Sequence, residues 1–168
     1  EEQLIRDLKQ IGGQLRAGKL REYTFGKLTI FRFDRHLYQP LIHVKQGAVG
    51  LSIKPTYLNN HEKQFIEDIK AWCAREVNGA LKNRQLYVLR NQSRGRGVSF
   101  FDEGNFYPDF ILWLLEDTRQ HIIFADPHGL VHAKAFSDSK LRFSKRIKEI
   151  EARLADKNVC LDAFTLSP

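Results

Sequence analysis

Apolar positions are densest between Asn105 and Gly129, NFYPDFILWLLEDTRQHIIFADPHG. This stretch reads as two apolar strands, FYPDFILWLL and HIIFADPH, joined by the polar turn EDTRQ, with no polar residues at helical spacing. Two carboxylates interrupt the hairpin, Asp109 after Pro108 and Asp126 before Pro127. A turn centred on Asp117 and Thr118 makes them direct cross-strand opposites, with Cβ atoms about 4.5–5.5 Å apart. His128 then shares their face if the strand runs that far. A slip of one residue would put the two aspartates on opposite faces. Carboxylates held so close repel each other. A hard divalent cation such as Mg²⁺, which prefers carboxylate oxygen, removes that repulsion.

The pattern elsewhere supplies the frame. Residues 1–20 carry a short helix, with Leu4, Ile5, Leu8 and Ile11 on one face and Gly12 and Gly13 weakening it. Between 26 and 53, the stretches KLTIFRF, LYQPLIHV and VGLSI predict two or three strands, with an edge or a break at Pro40. Asn59 opens a helix, NNHEKQFIEDIKAWCAREV, as its N-cap, and Glu62 completes a capping box. Asn78 and Gly79 end it. Glu62, Ile66, Ile69 and Cys73 form one stripe, flanked by Phe65 and Trp72, so Glu62 sits at the mouth of the apolar face. LYVLR at 86–90 is a strand, followed by the loop NQSRGRG with Arg94 and Arg96 close behind Arg90.

After the hairpin, Ser137 or Asp138 caps a second helix running to about Lys157, with Phe143, Ile147, Ile150 and Leu154 as its core stripe. Lys140, Arg142, Lys145, Arg146, Lys148 and Arg153 cover its other faces and read first as solvated. VCLDAFTL closes the chain as a strand. From residue 59 the order is helix, three strands, helix, strand: an α/β fold with a mixed sheet and helices on its faces.

Composition narrows the function classes. The 168 residues suffice for a domain with a real core, and 42% hydrophobic with 28% charged residues is globular rather than disordered. The longest apolar run is too short to span a bilayer. The opening EEQLIRDLKQ has no secretory leader, and two cysteines, Cys73 and Cys160, imply no disulfide framework; both fit a reducing cytosol. His61, His121 and His132 have no metal-ligand spacing with those cysteines, which argues against a structural zinc. The chain contains no Met, which points to a fragment of a longer protein. The net charge of +7 favours a polyanionic partner, most simply nucleic acid.

A helix bearing Glu62, then a strand with Pro108-Asp109, then a second strand ending Asp126-Pro127-His128, resembles the PD-(D/E)xK nucleases. The wording of Asn59 to Ile69, of LRNQSRGRGVSFFDEGNFYPDFILW and of Gln120 to Leu130 is similar to the C-terminal nuclease domain of type III restriction-type helicase subunits. The resemblance covers roughly residues 57–168, and 1–56 look like the connector from an upstream helicase. It implies a restriction-endonuclease-like mixed central sheet flanked by helices. It also implies a Mg²⁺- or Mn²⁺-dependent deoxyribonuclease, coupled to a helicase or translocase in a restriction or antiviral defence system.

Carried onto this chain, the resemblance makes Asp109 and Asp126 direct metal ligands and the Pro127 carbonyl a third. Glu62 completes the shell or holds a metal-bound water, and His128 is general acid/base or an electrostatic aid. Arg90, Arg94 and Arg96 contact DNA phosphates. One departure matters: the family has Lys where this chain has His128. Three readings stay open. His128 does the Lys job less well, another cation such as Lys134 or Lys140 reaches in, or the site binds metal and DNA without cutting. A protein-interaction domain with incidental charge is the remaining alternative, and paired carboxylates in an apolar hairpin disfavour it. Each residue also has a plainer reading: Asp109 and Asp126 as turn residues beside prolines, Glu62 as a cap alone, His128 as a surface histidine, the arginines as a solvated loop.

Overall fold

A computed structural model describes residues 57–92, 98, 107–127 and 139–166, with 6, 9, 10, 13, 14, 17, 23–25, 28–31 and 41–45. The chain divides into two compact units, residues 1–34 with 40–58, and 35–39 with 59–168. Among the described residues, no helix is long and apolar enough to cross a membrane.

In the first unit, residues 6, 9, 10, 13 and 14 are helical. Three short strands, β1 (Tyr23–Phe25), β2 (Leu28–Phe31) and β3 (Leu41–Val44), pair antiparallel in that order. Leu28 and Ile30 pack against Ile42 and Val44. Leu58 is fully buried and joins this sheet through a parallel bridge to His43, whose Nδ1 lies 2.9 Å from the Leu58 carbonyl. β1 lies ahead of the stretch where strands were expected, and the expected VGLSI strand and Pro40 fall outside the described residues.

The second unit begins with α1 (Asn60–Glu76). Its capping box forms as the sequence predicts: the Asn59 Oδ1 accepts from the Glu62 N–H at 2.9 Å, and Glu62 Oε2 accepts from the Asn59 N–H at 2.7 Å. The sheet order is β4 (Arg84–Arg90), β5 (Phe110–Glu116), β6 (Arg119–Asp126), β7 (Val159–Thr165). The first three strands are antiparallel, and β7 runs parallel to β6 after the crossover helix α2 (Ser139–Leu154). This is an α/β unit with a mixed sheet flanked by helices.

Because side chains alternate along a strand, each face of the sheet serves one helix. Phe110 faces α1, where its ring centroid lies 5.0 Å from that of Phe65. Ile111, Phe124 and Leu161 face α2 and pack with Phe143 and Ile147, Phe124 meeting Phe143 edge-on at 5.8 Å. Ile150 joins this cluster. Leu154, expected in the same stripe, is 55% exposed, because the helix stops there instead of reaching Lys157. Ala155 takes φ 50 and turns the chain away, and Asp156 then caps the turn through Asn158 N–H.

At the hairpin end of the sheet, Arg84 Nη2 donates to Glu116 Oε1 at 2.7 Å, directly across the β4–β5 ladder. That hydrogen bond holds the Glu116 carboxyl below its ordinary value of 4.5. A depressed carboxyl contributes stability above its unfolded value and loses it as pH falls through the folded one. The stability gap between the native chain and Glu116→Gln should therefore be small and close as pH falls below the ordinary carboxylate range in denaturant titrations. Ala155 carries a Cβ in a left-handed conformation that glycine adopts without strain. Ala155→Gly should raise stability by about 1 kcal/mol, or about 2–4 °C in a thermal melt.

Candidate functional site

The end of the sheet where β5 begins and β6 ends gathers the expected chemistry. The β5–β6 register pairs Phe110 with Ala125 and runs through to Glu116 with Arg119, closing on the turn at Asp117 and Thr118. Asp109 and Asp126 each lie one residue beyond the Phe110–Ala125 pair that ends this ladder. Asp126 is 3% exposed, Asp109 is half-buried, and Pro108 and Pro127 beside them are buried. The backbone here is held from both sides. Asn91 N–H donates to the Asp109 carbonyl at 2.8 Å, and Leu166 N–H donates to the Asp126 carbonyl at 2.9 Å.

Asn91 does more than this. Its Nδ2 donates to the carbonyls of Pro108 and Val98, both at 2.8 Å, and its Oδ1 accepts from Val98 N–H at 2.9 Å. It thus ties Val98 and Pro108 to the end of β4. Sequence reasoning passed over Asn91, since a lone Asn after a strand carries no local signal beyond a turn.

Glu62 comes to this end of the sheet from α1. It is buried at 5% exposure, and both its carboxylate oxygens accept from Arg90 Nη2, at 3.0 and 3.1 Å. Arg90 pairs with Phe110 across the β4–β5 ladder and shares its face, the one that α1 covers. Asp126 follows Phe124 by two residues and belongs to the α2 face, and continuing the alternation puts Asp109 there with Ile111. Glu62 therefore approaches from the face opposite to that of Asp126. The three carboxylates do not bring their oxygens within 4.8 Å of one another as a group. His128, Arg94, Arg96 and Lys134 lie outside the described residues, as does the Lys140 side chain.

A group that does meet that distance lies nearer the other end of the sheet. His121 pairs with Cys160 in the parallel β6–β7 register, and Asp162 is two residues further along β7. One ligand atom from each of His121, Cys160 and Asp162 lies within 4.8 Å of the others, so the group can hold a metal ion. All three are half-buried. Lys148 on α2 reaches the same place: its Nζ is 2.8 Å from Asp162 Oδ1, 3.0 Å from Glu151 Oε2 and 3.7 Å from Cys160 Sγ. Glu151 Oε2 also accepts from the Leu161 N–H.

These contacts set the charges. The hydrogen bond to Asp162 drives the Lys148 ammonium well above its usual range. The Leu161 N–H, then Lys148, hold the Glu151 carboxyl low. Burial, then Asp162, push the Cys160 thiol up. A cleft lined by Arg119, Gln120, His121, Glu151, Asn158 and Cys160 opens here. The sequence shows no ligand spacing between histidine and cysteine, whereas parallel pairing joins His121 to Cys160 across the whole length of α2.

Comparison of the chain with protein-family models, with curated proteins and with solved structures finds no match.

The two arginine pairs differ in burial, and their energetics should differ with it. Arg90 and Glu62 side chains are 19% and 7% exposed, against 35% and 38% for Arg84 and Glu116. Arg90→Ala leaves a buried carboxylate short of its partner and should cost about 2–4 kcal/mol. Arg84→Ala should cost under about 1 kcal/mol. Urea unfolding midpoints of the two variants check the difference.

Proposed function

We propose that residues 59–168 are a metal-dependent endonuclease unit that hydrolyses DNA phosphodiester bonds and works beside a helicase or translocase motor. The observation that carries this reading is the β5–β6 register, which runs to the pair Phe110 and Ala125, the chain neighbours of Asp109 and Asp126. The order of Glu62, Pro108-Asp109 and Asp126-Pro127-His128, with its likeness to nucleases, supports it, as does the net charge of +7.

The donor set suits a hard cation. Mg²⁺ uses one or two carboxylates and keeps several waters for itself and for phosphate oxygens. Asp109, Asp126 and the Pro127 carbonyl are such a set, and a third carboxylate is not required. When bound, the ion would lower the pKa of a water and polarise the phosphate. Glu62 then serves by holding Arg90 at the end of β4, where the guanidinium fixes the charge balance of the sheet end. His128 would supply a hydrogen-bond donor where the similar nucleases carry Lys, and Arg94 and Arg96 are the cations proposed for the DNA phosphates.

Cleavage of plasmid and linear DNA with Mg²⁺ or Mn²⁺ tests this. The chain should cut, and Asp109→Ala should lose more than the about 10–100-fold that an outer-shell change costs. Cutting by His128→Lys alone would identify a DNA-binding module on a nuclease fold, disarmed at that position. Failure of both to cut or to bind Mg²⁺ would remove the nuclease reading.

A further inference from the structure

We infer that His121, Cys160 and Asp162 form a site for a divalent transition metal of the zinc class, in which Lys148 holds the cation position until the metal displaces it. This site is independent of the nuclease reading. His121 stands five positions before Asp126 on β6, about 17 Å along the strand.

The donor types select the metal. Imidazole and thiolate favour zinc and its borderline neighbours over Mg²⁺ and Ca²⁺, which want oxygen alone. Asp109 and Asp126 offer hard oxygens; His121, Cys160 and Asp162 offer one nitrogen, one sulfur and one oxygen. One chain thus presents two donor sets that different ions would fill.

The geometry is close to ready. Bond lengths of about 2.3 Å for sulfur and 2.0–2.2 Å for oxygen at a tetrahedral zinc put the two donors about 3.5 Å apart. Cys160 Sγ and Asp162 Oδ2 already lie 3.8 Å apart. His121 is brought in by the ladder itself, as the direct register partner of Cys160 on the neighbouring strand. All three ligands stand on paired strands, whose ladder holds their backbone in place. Three protein ligands would leave a zinc ion one position short of four, and the cleft lined by His121 and Cys160 would admit a water or a further donor.

Lys148 explains how such a group is stable without metal. Asp162 and Glu151 carry two negative charges, and one ammonium bridges them at 2.8 and 3.0 Å. One negative charge is left unbalanced. Exchange of the ammonium for a divalent ion, with loss of the Cys160 proton, leaves that balance the same. Lys148 is half exposed, so its ammonium can move to water while its stem stays on α2. Glu151 remains fixed by the Leu161 N–H when Lys148 leaves.

The test uses the full chain, freed of metal, titrated with Co²⁺ and read by absorption. A cobalt–thiolate charge-transfer band in the near ultraviolet is expected, and Zn²⁺ should abolish it by displacement. Zinc affinity is measured against a chromophoric chelator. Cys160→Ser should lose the band, and zinc binding should fall by more than about 100-fold, beyond the cost of an outer-shell change. Asp162→Asn, which keeps the shape, should weaken zinc in the same direction. Cys73→Ser should keep the band. Lys148→Gln should bind zinc more tightly than the native chain, because a competing cation is gone. Far-UV circular dichroism confirms that each variant is folded. The inference is overturned if the native chain gives no thiolate band, if the band follows Cys73, or if folded Cys160→Ser binds zinc as the native chain does. Asp109→Ala should keep the band and the zinc affinity whatever happens to DNA cleavage, so failure here and failure of the nuclease reading are separate results.

Discussion

A two-residue turn at Asp117 and Thr118 decides which face of the sheet every side chain of β5 and β6 meets. These are the inner strands of the order β4-β5-β6-β7, and their central residues are apolar on both faces. Slipping the pairing by one residue would exchange the faces of one strand relative to the other. Phe110 would no longer share a face with Ala125, or Ile111 with Phe124, and the two helices would lose the matched surfaces they cover. Asp117 accepts the left-handed conformation the turn needs, with φ 50, which a short polar side chain tolerates better than a branched apolar one.

The same register distributes the polar groups. It sends Asp126 into a buried position at one end of the sheet and His121 into a half-buried one near the other. Each end then balances charge in its own way. At the β4–β5 end, α1 contributes Glu62 and β4 contributes Arg90, a pair shielded enough that neither partner is easily spared. Beside β7, α2 contributes Lys148 and Glu151, and a single ammonium serves two carboxylates in partial contact with water. An ion pair on the shielded side is a structural commitment. One on the exposed side can be exchanged for another cation at little cost to the fold.

Capping shows the economy of the α1 junction. Glu62 accepts the Asn59 N–H that starts its own helix and the Arg90 guanidinium from the adjoining strand. One carboxylate so joins the helix start to the sheet. The reading of Glu62 as a capping residue holds, and neither the cap nor the apolar stripe anticipates Arg90.

What the sequence determined by itself is what nearest neighbours control. The hairpin register followed from a symmetric turn between two apolar runs. The start of α1 followed from Asn59 and Glu62, and the alternation of helix and strand from periodicity. Leu154 marks where that logic ended, since the apolar stripe continued but the backbone left the helix at Ala155. The tertiary structure alone decided the contacts between distant segments: Glu62 with Arg90, Asn91 with Pro108 and Val98, and His121 with Cys160 and Asp162. Parallel pairing of β6 with β7 has no turn to set its register. It is fixed by how α2 seats Phe143 and Ile147 on the sheet, and no spacing in the chain encodes which histidine will then face which cysteine.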